Sequence, residues 1–556
     1  MSSAGSSLPP PTELRGRTPP FGALAWILLA VLVVAGLWLR LRGLATDGFA
    51  DDEVHKWLAA NRYLHGDFGG DDVEHPMLMK SLIALAILTF RDALAPEALT
   101  RLPSAVAGGV SVLAVALLGR RLFGRATALA AAGVLAFSTT AIGYHRIAKE
   151  DVLLGLFFTL CVWCLAEAKA AADDGRARDQ GRWELSGAAA LGAAFASKYF
   201  IFYFPIPVLS YLWLRPVSAW RVPLRRWLAL IGAALVVFLL LDFTPLLPST
   251  YTYIGQYIRG DAVGGDRGVS ESIVFMGRLY GNLALRGESP TPAWYYAMFA
   301  AVKFAPVTAV LGFGGLLFAM ARRRPAHRIL LVWAGIFWLA WQVAGAKYGR
   351  FFVSAMPVFV LLAAHAGVQL ARAVAARAGA AAESLAGRAA AAAMAVVLVV
   401  PEARAAVTHA PHHRLYVSAL GGGDRNVTWF FPHCDYFDAG IREAVTWIAG
   451  HAERGAEVAS EVDWTVRLYA GLDGRPDLLS SPILPGRGCR SGQPCYVILH
   501  VGRLYRHNEA AVEQLSHRPP AFVSRVEGVD AARVYRLEPG DLLFPSDEPK
   551  QAELAR

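Results

Sequence analysis

Between residues 50 and 80 the chain sets Asp51, Asp52 and Glu53 close to His55 and Trp57. Asp67, Asp71, Asp72 and Glu74 follow, beside His75, and Lys80 closes the stretch. It comes directly after an apolar run from Phe21 to about Leu41. Carboxylates this close to lipid are costly and are functional candidates by default. Asp52 has the form of a general base, able to take a proton from an attacking hydroxyl. Cations recur at the ends of later apolar runs: Arg146 within Tyr144-His145-Arg146-Ile147-Ala148-Lys149-Glu150-Asp151, Lys198 between Ser197 and Tyr199, and Lys347 and Arg350 around Tyr348-Gly349. Guanidinium and ammonium groups are the partners a phosphate requires. The mixture suits transfer of a sugar from a lipid phosphate. Arg146, Lys198, Lys347 and Arg350 would hold the phosphate, Asp52 would take the proton, and Glu53 or Asp151 would orient it. Any one such loop read alone is a solvated turn with snorkelling bases; their gathering on one side of the membrane argues for more.

Glu74 and His75 are the pair that a divalent cation or the departing phosphate would use, with Lys80 one helical turn beyond. An acid–His pair with no third ligand specifies a metal only weakly, so a divalent cation is an option here and not an expectation. His409, His412, His413 and His433 have irregular spacing that matches no ligand pattern.

The elements that position these groups are apolar. Of 556 residues 55% are hydrophobic, only 18% are charged, and mean hydropathy is +0.38. Many runs approach the roughly 20 residues a bilayer crossing needs. The formal net charge of +10 reflects Arg-rich loops and does not point to nucleic acid. Arg15 and Arg17 precede the first run, so it starts on the cytoplasmic side and the acidic stretch is external. Basic or mixed-charge turns at 120–125, 169–182, 215–226, 322–328 and 372–388 are likewise cytoplasmic. The run from Met77 to about Ala95 carries Lys80, Arg91 and Asp92, and it fits the alternation only as a helix lying along or dipping into the interface. The chain then crosses about eleven times.

The domain reading is a Ser/Pro-rich, disordered cytoplasmic segment at 1–20, a membrane domain at 21–401, and a small extracytoplasmic α/β domain at 402–556. In the last, EVASEV and CYVILHV read as strands, GIREAVTWIAGHA and NEAAVEQLSH as helices. Cys489 and Cys495 flank a short loop that a disulfide would close on an oxidising side, while Cys161 and Cys164 sit in an apolar helix as packing residues.

These residues resemble a known group. Ala50 to Glu53, then His75-Pro76 with Leu78 and Lys80, look like the first external loop of the protein O-mannosyltransferases (glycosyltransferase family 39), an Asp-Glu pair followed by His-Pro-Pro-Leu and a Lys. Arg101-Leu102-Pro103-Ser104, the turn Arg120-Arg121-Leu122-Phe123-Gly124 and Arg146…Asp151 are also similar, and the lipid A aminoarabinose transferases share them. Lys347-Tyr348 through Arg350 and Pro357 resembles a later segment of the same proteins. The resemblance covers roughly 25–215 and, more thinly, 340–370. It implies an α-helical polytopic GT-C fold, a polyprenyl-phosphate sugar donor, and inverting transfer with Asp52 as base and Asp151 as a second carboxylate. Met77 replaces the second Pro, and Lys149-Glu150 replaces small or Thr-type residues. The segment 244–291 is too short for the large lumenal domain of the eukaryotic enzymes.

The sequence therefore predicts a multi-pass plasma-membrane transferase moving a mannose-like sugar to an external acceptor hydroxyl, Ser/Thr of a protein or, alternatively, a glycolipid or lipid A. A flippase for an anionic lipid would use the same cations without a base. Internal repeats would favour it, and none is visible.

Overall fold

The computed structural model describes residues 21–541, apart from 70, 71, 73, 74, 214–221, 260–271, 282–289, 323, 345, 346, 382, 383, 484–488 and 490–492. Helices dominate the first two thirds of the chain: α1 (Ala23–Leu41), α2 (Asp51–Tyr63), α3 (Met77–Phe90), α4 (Pro96–Phe123), α5 (Arg125–Phe137), α6 (Thr139–His145), α7 (Asp151–Asp173) and α8 (Ala177–Ser197). These are followed by α9 (Pro205–Trp213), α10 (Leu224–Leu241), α11 (Pro248–Arg259), α12 (Tyr295–Lys303), α13 (Pro306–Arg322), α14 (Pro325–Ala344), α15 (Met356–Arg377) and α16 (Leu385–Thr408). A short antiparallel hairpin, β1 (Ser272–Phe275) and β2 (Arg278–Gly281), precedes α12.

Four of the five basic turns read from the sequence coincide with breaks between helices, α4/α5, α7/α8, α13/α14 and α15/α16. Of the fifth, residues 214–221 lie outside the described residues. Among the described residues six helices, α1, α4, α7, α10, α15 and α16, are long and apolar enough to cross a membrane, and α5 with α6 makes a seventh bent by 59°. The expected eleven crossings counted apolar runs that fall here on short or interrupted helices. The run 293–320, for example, is divided at Phe304 and Ala305 into α12 and α13. Helix α3 has 14 residues, a rise of about 21 Å against a hydrocarbon core of roughly 30 Å, so it is too short to cross alone. The last run, read as ending at 401, continues through Pro401 to Thr408.

The break between α5 and α6 shows how this membrane domain tolerates irregular backbone. Interrupting a helix leaves carbonyls without partners, which lipid cannot satisfy. Arg40, buried near the end of α1, donates to the Leu135 carbonyl (2.8 Å) and the Ala136 carbonyl (3.1 Å), and its Nε donates to His145 Nδ1 (3.0 Å). Ser138 begins α6 by accepting from the Ala141 amide. Gly108 on α4 makes room for the His145 ring, since a Cβ there would lie 2.5 Å from it. Replacing Arg40 by Ala is expected to orphan two buried carbonyls at about 1–3 kcal/mol each. A thermal melt of the detergent-solubilised protein reads this as a lowered midpoint.

After α16 come two short helices, α17 (Val427–Phe430) and α18 (Pro432–Tyr436), then α19 (Ile441–His451), β3 (Glu457–Ser460), α20 (Asp463–Leu472), β4 (Leu479–Ser481), β5 (Cys495–His500), α21 (Glu509–Ser516), β6 (Phe522–Val526) and β7 (Val529–Leu537). The five strands form one sheet in the order β4-β3-β5-β7-β6, parallel across β4-β3-β5 and antiparallel beyond. Both predicted strands and both predicted helices are present. The hairpin β6-β7 turns at Glu527-Gly528, both at positive φ as tight hairpins require. Cys489 and Cys495 form a disulfide. The core of this region includes Phe49 and Val54 from the acidic stretch, packed with Ile441, Val445, Val466 and Tyr469.

Candidate active site

Helix α2 carries the acidic triplet in its first turn, where carboxylates complement the helix dipole. Glu53 Oε2 accepts from the Ala50 amide (3.1 Å), one half of a capping box. The tail holds the approach to the helix. Tyr469 Oη accepts from the Phe49 amide (2.7 Å) and donates to Glu97 (2.7 Å), while Arg442 donates to the carbonyls of Ala45 and Thr46.

The three neighbouring acids and bases before α7 then reach three different partners in turn. Lys149 pairs with Asp52, Glu150 with Lys56 (2.9 Å), and Asp151 with Lys198 (2.8 Å). Asp52 and Lys56 are four residues apart on α2 and so share a face. Arg350 approaches the same Asp52 oxygen at 3.5 Å. Two cations contact the Phe351 ring, with Lys198 Nζ 4.5 Å and the Arg350 guanidinium 5.3 Å from its centroid. Arg350 also covers Tyr348. Asp52, Lys56, Lys149, Glu150, Asp151, Lys198 and Arg350 thus form one connected group.

Exposure separates the two acids that the sequence puts side by side. The Asp52 side chain is 35% exposed and that of Glu53 is fully buried. Arg101 donates to both Glu53 oxygens (2.9 and 2.6 Å), and the Ala148 amide donates to one of them (2.9 Å). Arg101 also reaches the carbonyls of Leu44, Asp47 and Gly48. Glu53 is therefore a fastener between α2, α4 and the segment before α7. Asp151 is buried as well, one oxygen on Lys198 and the other without a partner, and it holds Lys198 in place.

Burial by itself would raise Asp52, but Lys149, Arg350 and Lys56 outweigh it and hold the carboxyl well below the usual carboxylate range. Burial and the neighbouring Arg350 bring Lys149 down to about 8, with Asp52 opposing them. Lys56 is pushed up despite burial by Asp72, Glu150 and Asp52.

The remaining sequence candidates divide. Asp72 is buried, hydrogen-bonded to His75 Nδ1 (2.7 Å) and 3.6 Å from Lys80. Lys80 donates to the carbonyls of Asp72 (2.5 Å) and His75 (2.8 Å), fixing the entry to α3. Glu74 lies outside the described residues. Among the described residues no three metal-ligating side chains converge. The Asp72–His75 pair has an ammonium against it, which does not fit a cation. Lys347 donates to the Thr291 carbonyl (2.9 Å).

Arg146 is not brought to Asp52. Its guanidinium donates to the carbonyls of Gly43 and Pro411 (both 2.5 Å) and lies 3.0 Å from His413 Nδ1. It lines a separate narrow cleft with Asp47, Arg101, His412 and Arg414. The reason is its place at the end of α6: the bend turns it toward the segment after α16 while Lys149, three residues on, faces α2. Lys149 and Lys56 are the residues that sequence reasoning passed over. The charge alternation Lys149-Glu150-Asp151 against Asp52…Lys56 was the available signal.

The fold has solved counterparts. The structure of apo ArnT from Cupriavidus metallidurans superposes with a TM-score of 0.53 at 15% identity, covering 92% of this chain and 98% of that one. Residues 74–245 match the family described as dolichyl-phosphate-mannose-protein mannosyltransferase. The chain thus has the GT-C fold, and its likeness to that mannosyltransferase family lies within residues 74–245. Two other GT-C structures align less closely. The Archaeoglobus fulgidus oligosaccharyltransferase in its apo form gives a TM-score of 0.48 at 13% identity, over 82% of this chain and 64% of that one. The S. cerevisiae Pmt1–Pmt2 complex bound to the sugar donor gives 0.36 at 22% identity, over 43% and 35%. No curated protein is a significant match to the chain.

Proposed function

We propose that this GT-C protein transfers a sugar from a polyprenyl-phosphate donor to a hydroxyl on the external side of the plasma membrane, with inversion at the anomeric carbon. The observation that carries the reading is the partly exposed Asp52 carboxylate beside Lys149 and Arg350, with Lys198 and Arg350 both in contact with the Phe351 ring. The acceptor oxygen attacks the anomeric carbon and its proton goes to Asp52. The bond from that carbon to the phosphate oxygen breaks, and the charge that develops on the phosphate is met by Lys198 and Arg350. The family description supports mannose as the sugar and a protein hydroxyl as acceptor. The disulfide in the tail suits an oxidising compartment, in keeping with an external tail.

Purified protein incubated with a panel of polyprenyl-phosphate sugars tests this. Mass spectrometry follows sugar released to a Ser/Thr peptide, a glycolipid or water. Movement of intact donor across vesicles with no bond broken would replace this reading by a flippase. Lys198→Gln is expected to raise the donor KM roughly 10- to 100-fold, the value of a charge-assisted contact, with folding checked by size-exclusion profile.

A further inference from the structure

We propose that the donor phosphate and the Asp52 carboxylate compete for the same two cations, Lys149 and Arg350, so that seating the donor is what frees Asp52 to accept a proton. The inference rests on the lipid-phosphate reading above and adds Lys149 to the donor site.

In the donor-free protein Asp52 is a poor base. Lys149 and Arg350 both sit on its Oδ2, and their positive charge disfavours a proton anywhere on the carboxylate. Both cations have donors to spare, since an ammonium carries three N–H bonds and a guanidinium five. Arg350 Nε is buried with no hydrogen-bond partner among the described residues. The two come from distant parts of the chain, the segment before α7 and the turn before α15, and meet at Asp52. Two cations this close repel one another unless an anion lies between them, and the proximity of Arg350 contributes to the lowered Lys149. Asp52 fills that place when no phosphate does.

The charges fit an incoming anion. Lys149 and Arg350 bring two positive charges to the single carboxylate they share, Asp52, and a polyprenyl phosphosugar is a diester with a single negative charge. An ordinary structural ion pair is the competing account, and Glu53–Arg101 shows its form: sealed, with both carboxylate oxygens fully used. Asp52 is partly exposed, and Arg350 Nε has no hydrogen-bond partner among the described residues.

The cycle closes chemically. Donor phosphate oxygens take Lys149 and Arg350, and Asp52 becomes a free carboxylate. The acceptor O–H adds to the anomeric carbon, the C–O bond to phosphate breaks with its electron pair on the phosphate oxygen, and the proton passes to Asp52. The product phosphate monoester leaves, the cations return to Asp52, and the proton is released to water.

The test measures undecaprenyl phosphate binding to the purified full chain by native mass spectrometry, with undecaprenol as the phosphate-free control and inorganic phosphate as competitor. Asp52→Asn is expected to bind undecaprenyl phosphate roughly tenfold more tightly than wild type because an internal competitor is gone, and Lys149→Gln or Arg350→Gln roughly tenfold more weakly. Undecaprenol binding should be unchanged throughout, and inorganic phosphate at the same concentration should not compete. Equal or weaker binding by folded Asp52→Asn overturns the competition. Should that variant not fold, undiminished binding by Lys149→Gln and Arg350→Gln overturns it instead. A wild-type protein that binds undecaprenyl phosphate no better than undecaprenol would sink the donor reading itself, a failure distinct from the first.

Discussion

Replacing Asp52 by Asn is expected to lower turnover by roughly 10²- to 10⁴-fold, the usual contribution of a positioned base. Sugar release from the polyprenyl-phosphate donor, normalised to folded protein, is the measurement. Asn keeps the size of the side chain and the start of α2 but cannot take the acceptor proton. Glu53 cannot substitute, because Arg101 and the amides of Ala148 and Ala50 occupy both of its oxygens. Asp151 cannot either, being buried against Lys198. Wild-type turnover in Asp52→Asn would remove the base from the mechanism.

Glu53→Gln is expected to act on folding. Arg101 would be left buried among the carbonyls of Leu44, Asp47 and Gly48 with its charge uncompensated. Breaking one side of such a pair costs about 3–5 kcal/mol, a large share of the 5–15 kcal/mol that typically separates folded from unfolded protein. A lowered thermal midpoint and a smaller folded fraction, with turnover per folded molecule near wild type, is the expected result. Turnover lost at normal stability would instead place Glu53 in the chemistry. Neighbouring acids would then show different losses in the two assays, as their different exposure requires.

Much of this division could not be seen in the chain itself. Asp52 and Glu53 are adjacent acids of one helix turn, and which faces water depends on where Arg101 of α4 sits. The placement of cations at run ends picked out Lys198 and Arg350, which the fold gathers with Asp52 and Asp151 in one group. The same reasoning put Arg146 in that group, and the bend between α5 and α6 sends it elsewhere. Asp72 looked like one more acid in a Gly-rich loop; only its burial against His75 and Lys80 distinguishes it. For the fold, basic turns were legible since each separates two hydrophobic helices. Span number was less so, because an apolar run such as 293–320 does not reveal that Pro306 starts a second helix. In the tail β5 was evident from its apolar run, whereas β6 and β7, on the antiparallel side of the sheet, carry too many Arg residues to stand out.

The shared core of Phe49 and Val54 with the tail bears on how the protein is made. A ribosome delivers α2 well before the residues that pack against its start, which run from Ile441 to Val534. Contacts separated by some four hundred residues form late, after the intervening chain has been placed. Nascent or C-terminally truncated chains would hold inserted membrane helices but an unanchored base. The start of α2 would thus become anchored in one step, when the region from Ile441 to Val534 packs against it.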